Sequence, residues 1–195
     1  MPTVWLISHP EVRVDPAVPV PSWSLSEKGR ARMMAFCARA DLPRFAAIFA
    51  SEETKAREAA AILAARFGRP VECDAELGEN DRSATGFVPP DEFERLADAF
   101  FGEPERSVRG WERAVDAQAR IVRAVDRVLA GAVPGNVAIV AHGGVGTLLL
   151  CHYLGVPIAR AHDQPHQGHV LSFDRETRRV IHPWVALEAF APITA

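Results

Sequence analysis

Apolar residues along this chain come in short bursts, each followed by a stretch with helical spacing. Thr3-Val-Trp-Leu-Ile7 is an apolar, β-branched run between Pro2 and Ser8-His9-Pro10, the pattern of a buried strand. Proline-rich residues 11–23 read as a loop. Ser24-Leu-Ser-Glu27 has the spacing of a capping box, so a helix is expected from Ser24 to about Ala40, with Ala31, Met34 and Cys37 or Ala38 on one face. Ala46–Ala50 and Val71–Cys73 read as further strands, separated by a helix from Thr54 to Phe67 that Gly68 stops. From Gly78 to Gly110 the periodicity fades, and only a helix near Asp91–Phe101, between Pro89-Pro90 and Gly102, stands out.

The pattern then recovers. A helix is expected from Trp111 to about Ala130, ended by Gly131 and Pro134. Val137–Ala141 is the clearest buried strand and runs straight into His142-Gly-Gly. A helix from about Val145 to Tyr153 follows, stopped by Gly155 and Pro157. Val170–Phe173 and Arg179–Pro183 read as two late strands joined by a turn over Asp174–Thr177. Strands alternating with helices imply a layered α/β fold on a mostly parallel sheet. Residues 1–195 are expected to form a single domain, with a small lid-like excursion at about 78–110.

Composition narrows the function classes. At 48% hydrophobic residues and a mean hydropathy of −0.01 the chain has ample material for a core, which excludes a disordered segment. With 22 basic and 25 acidic residues the net charge is −3, and no basic run marks a nucleic-acid surface. Cys37, Cys73 and Cys151 lie far apart, form no CxxC pair and leave an odd count, so a reducing, cytoplasmic setting is expected. The N-terminus lacks a basic leader, and His142, three glycines and His152 interrupt the stretch from Val137 to Leu154, so neither a signal peptide nor a membrane span is expected. Seven histidines are the useful lead.

Two of them end strands: Val4-Trp-Leu-Ile-Ser-His9 and Val137-Ala-Ile-Val-Ala-His142. Ligands of open α/β sheets bind beyond the carboxyl ends of the strands, where these two histidines would meet. Around them stand Leu25-Ser-Glu-Lys-Gly29, Ser51-Glu-Glu-Thr-Lys55-Ala-Arg-Glu-Ala-Ala60, Leu77-Gly-Glu79 and Ala141-His-Gly-Gly-Val145, in that order. From residue 3 to about 175 the chain resembles the histidine phosphatase superfamily, also called phosphoglycerate mutase-like. The family shows Arg-His-Gly at the first strand's end, a Leu-Thr/Ser-x-x-Gly helix start, Ser-x-x-x-Arg-x-x-x-Thr-Ala, Leu-x-Glu, and a late His-Gly. The resemblance implies a three-layer α/β/α sandwich and a phosphatase acting on a small phosphomonoester through a phosphohistidine on His9. It implies that His142 stabilises charge on the phosphoryl oxygens, helped by Gly143, Gly144 and the following helix start. Glu79 would be the general acid, with Asp81 as its rival. No cofactor and no metal is implied, and the expected partner is a small phosphorylated substrate or inorganic phosphate.

The sequence departs from that family at the phosphate grip. Ser8 stands where the family has its first arginine, Pro10 replaces the glycine, and the second arginine is Lys55. Serine offers one neutral hydroxyl and lysine a point charge, whereas arginine offers a planar fork. Arg13, Arg57 and Arg82, with the late histidines, are candidate replacements. Among His162, His166 and His169, His169 is expected to face the phosphate, and a metal site in this loop is the lesser reading. The weakened grip supports a second functional reading, a non-catalytic member that binds a phosphorylated ligand or a partner. Trp5, Trp23, Trp111 and Trp184 are read as core or interface aromatics.

Overall fold

The computed structural model describes residues 1–192. Its centre is a six-stranded sheet of β1 (Thr3–Ser8), β2 (Phe45–Ala50), β3 (Val71–Cys73), β4 (Asn136–Ala141), β5 (His169–Asp174) and β6 (Val180–Ala186). The strand order is β3-β2-β4-β1-β5-β6. The first four run parallel, and β5 and β6 add antiparallel strands beside β1. Five helices flank it: α1 (Glu27–Cys37), α2 (Thr54–Phe67), α3 (Pro90–Gly102), α4 (Ala114–Gly131) and α5 (Gly143–Leu154).

Alternation along β1 sorts the layers. Val4 and Leu6 join an apolar cluster with side chains of α3, α4 and α5, while Trp5 and Ile7 join one with α1 and α2. Central strands β1, β4 and β5 are therefore buried on both faces and read as nearly continuous apolar runs. Edge strand β6 carries an exposed Pro183, which cannot donate to a further strand and blunts the edge. The three-layer α/β/α architecture and the mostly parallel sheet stand as expected.

Three helix starts differ from the sequence expectation. The cap of α1 is Ser26, whose hydroxyl accepts the Gly29 N–H at 3.0 Å, because Leu25 is drawn into a bridge with Val12 and its N–H donates to Glu58. Helix α4 begins at Ala114 rather than Trp111, since Val108–Gly110 forms a separate short turn that Trp111 closes. Helix α5 begins at Gly143, so His142 is itself the cap residue. Within the segment 78–110, Leu96, Phe100, Phe101 and Val108 belong to the main apolar cluster. All three cysteines are free thiols.

Candidate active site

Parallel register assembles the site. Ser8 pairs with Ala141 across β1 and β4, and Ala50 pairs with Val140 across β2 and β4. The residues that follow, His9, His142 and Ser51, thus leave three adjacent strands at the same carboxyl edge. The His9 N–H donates to Ala141 O at 3.1 Å, and the Ser51 N–H to Val140 O at 3.0 Å. The His9 and His142 rings lie 5.2 Å apart, centroid to centroid, in an edge-on arrangement.

A cavity of about 330 Å³ opens above His9, with Glu79, Gly143 and Gly144 on its wall. His9 Nδ1 lies 2.9 Å from the carbonyl of Pro10. A carbonyl only accepts, so Nδ1 carries the hydrogen and the neutral ring keeps its lone pair on Nε2. Burial, reinforced by His142 and Lys55, pushes the His9 imidazole down to about 3, so the ring is neutral at physiological pH. His142 is fully buried behind His9, and that burial pushes its imidazole down too. Its Nε2 meets Ser51 Oγ at 2.8 Å and Glu53 Oε1 at 3.4 Å.

The acids are arranged unequally. The Glu79 carboxylate accepts the N–H groups of Gly144 and Val145, at 3.1 and 2.9 Å, so this side chain fills the positive end of α5. A Cβ at Gly144 would lie 2.7 Å from Glu79 Oε1, so a larger residue there would push the carboxylate away from the helix terminus. Asp81 is exposed, accepts the Ser83 N–H, and does not border the His9 cavity, so the geometry separates it from Glu79. The backbone around Glu79 is clamped by Arg120 of α4, whose guanidinium donates to the carbonyls of Glu76, Gly78 and Glu79 and pairs with Glu112.

The expected phosphate-gripping residues are placed differently. Ser8 is buried, donates to Gln164 Oε1 at 2.5 Å and accepts the His169 N–H at 3.0 Å. Lys55 is 3% exposed, pairs with Glu53 and donates to Val20 O at 2.9 Å. Burial works to raise the Glu53 carboxyl, but His142, Lys55 and the Glu79 N–H hold it down at about 2, an ionised partner for Lys55. His169 does not border the cavity. Its ring packs under His166 with centroids 4.5 Å apart, and it is His166 that reaches the cavity wall. Trp111 is also on that wall, beside Phe93 and Phe100, and so is more than a core aromatic. Arg13 and Arg57 are exposed and border neither this cavity nor its neighbour, whereas Arg82 borders both. Among the described residues, no three His, Cys, Asp or Glu side chains gather into a set able to hold a metal ion.

The sequence model of the histidine phosphatase superfamily, branch 1, matches residues 5–182. The chain belongs to the histidine phosphatase superfamily. Its fold is similar to that of Bacillus stearothermophilus YhfR, with 25% identity, 92% of this chain and 94% of that one covered, and a TM-score of 0.75. It is similar too to the mycobacterial glucosyl-3-phosphoglycerate phosphatase in complex with inorganic phosphate, at 21% identity, 97% and 100% coverage and a TM-score of 0.79. A VO3 complex of the same mycobacterial protein matches at 21% identity, 92% and 96% coverage and a TM-score of 0.72. No curated protein sequence matches this chain. Glu53, Asn80 and Gln164 are site residues that sequence reasoning missed, and Glu53 is the one a signal could have found. Its signal was available, since a carboxylate beside Ser51 directly after a strand lies at the sheet's ligand-binding edge.

Proposed function

We propose that this superfamily member is a phosphatase that hydrolyses a small phosphomonoester through a phosphohistidine on His9. The observation that carries this reading is the neutral His9 ring at the cavity floor, its Nδ1 hydrogen held by Pro10 O and its Nε2 lone pair left for attack. In the first step Nε2 forms a bond to phosphorus and the ester P–O bond breaks. A proton carried by Glu79 passes to the leaving oxygen. Water then attacks phosphorus, gives its proton back to Glu79, and the N–P bond breaks to release phosphate. His142, turning its Nε2–H from Ser51 to a phosphoryl oxygen, would offset charge where it accumulates. Gly143, on the cavity wall, leaves the backbone open to the phosphoryl group. Ser8, Lys55 and His169 support the site from behind rather than touching the phosphoryl group. The resemblance in fold to a phosphatase structure holding inorganic phosphate supports the same ligand class.

A second reading, phospholigand binding without turnover, draws support from the Lys55–Glu53 pair and from Glu79 on the α5 terminus, which neutralise the local cations. Acid-labile, base-stable labelling of the protein by a labelled aryl phosphate separates the two. Wild-type protein is expected to label and turn over, and His9→Ala to do neither. Phosphate binding with no labelling and no turnover in the wild type would establish the second reading instead.

A further inference from the structure

We propose that Arg82 grips the phosphoryl oxygens in place of the arginine that Ser8 supplants; this rests on the phosphatase reading above. The positions where the family carries its cations are already spent. The Ser8 hydroxyl is closed by Gln164, Lys55 is buried against Glu53, and the Gly144 and Val145 N–H groups of α5 hold Glu79. A dianionic phosphoryl group in this cavity therefore needs another donor.

Two arginines border the His9 cavity. The Arg160 guanidinium is engaged by Glu94 and Asp98. Arg82 has no carboxylate within ion-pair distance among the described residues, so its charge is available to a ligand. It is also held in place. Its guanidinium lies 5.1 Å from the Phe93 ring centroid and 5.6 Å from that of Trp111. Cation–π contact of this kind holds the guanidinium against the wall without using its N–H groups, which stay available for contact with phosphate. Trp111 is fixed in turn by its Nε1–H, which donates to Thr85 Oγ1 at 2.8 Å. The root of Arg82 is rigid as well, because its carbonyl accepts the N–H groups of Thr85 and Gly86, at 3.1 and 3.0 Å.

Position agrees with the role. Arg82 borders both the His9 cavity and the adjoining one that reaches Ser51 and Glu53. Its charge is one of the influences that disfavour a protonated His142. Asn80 borders the same two cavities and carries a buried amide Nδ2 with no partner, an orphan donor that a ligand oxygen would satisfy.

The test is a titration with inorganic phosphate and with vanadate, read by calorimetry and by fluorescence of the neighbouring Trp111. It compares the wild type with Arg82→Ala, Arg82→Lys and the remote control Arg57→Ala, and phospho-His9 trapping runs in parallel. Removing the fork is expected to weaken phosphate binding and raise KM by about ten- to a hundredfold. Arg82→Lys should recover only part of this, and Arg57→Ala should match the wild type. Phosphate affinity of folded Arg82→Ala equal to the wild type, with labelling of His9 intact, overturns the assignment of Arg82 and leaves the phosphatase reading standing. Absence of labelling and turnover in the wild type overturns the phosphatase reading, and a phosphate affinity unmoved by Arg82→Lys and Arg82→Ala then removes Arg82 as well.

Discussion

At the scale of single residues, the site is governed by who holds each charge. Glu79 sits on two backbone N–H groups and faces His9 across the cavity, a position from which one proton can reach a leaving oxygen. Glu79→Gln keeps an acceptor oxygen for the α5 terminus but removes the proton source. Its kcat on an alkyl phosphate is expected to fall by about 10²–10⁴-fold, while p-nitrophenyl phosphate, whose phenolate departs without a proton, loses far less. Steady-state comparison of the two substrates checks this, and equal losses on both would remove Glu79 from the acid role. Glu53 is the counterpart: it pairs with the buried Lys55, and so removes from the ligand a cation that the sequence alone would assign to it.

At the scale of elements, Glu79 is positioned by a helix to which it does not belong. Arg120 reaches from α4 to three carbonyls between Glu76 and Glu79 and to both oxygens of Glu112. This network ties α4 to the segment that delivers Glu79, much as the β1–β4 register delivers His9 beside His142. Arg120→Ala strands a half-buried carboxylate and frees that segment, and should cost about 2–3 kcal/mol in urea unfolding. It should also reproduce the leaving-group signature of Glu79→Gln while phospho-His9 still forms. A stability loss with an unchanged ratio between alkyl and aryl substrates would make Arg120 a structural clamp only. Helix α5 shows the same dependence on neighbours, since a Cβ at Gly146 would lie 2.5 Å from the Trp184 ring.

At the scale of the whole molecule, burying histidines couples stability to pH. The His9 imidazole falls from its ordinary 6.5 to about 3, and His169 to about 4, in both cases chiefly through burial. Below pH 6.5 the unfolded chain takes up protons that the native state refuses, so stability falls as pH falls through this window and is unaffected by these groups above it. His9 alone contributes a slope of about 1.4 kcal/mol per pH unit between those limits. Denaturant unfolding between pH 4.5 and 7 should show a shallower slope for His9→Ala than for the wild type, by about one proton's worth. Parallel slopes would mean that His9 is already charged in the native state.

Much of this was legible in the chain. Alternation within Thr3–Ile7 and Val137–Ala141, the stop at Gly68 and the turn at Asp174 are short-range signals, and they located the strands, the helices and the two strand-end histidines. The order of local motifs was enough for the superfamily. The wiring was not legible, because it joins residues far apart in sequence: Ser8 with Gln164, Arg120 with Glu76–Glu79, Arg82 with Phe93 and Trp111. Periodicity and caps act over a few residues, whereas a charge takes its partner only once sheet register and helix packing have brought the two together. For that reason the sequence alone determined the layers and the two histidines at the strand ends. Only the tertiary structure decided that Lys55 is paired with Glu53, that Glu79 rather than Asp81 borders the His9 cavity, and which of that cavity's two arginines is held by carboxylates.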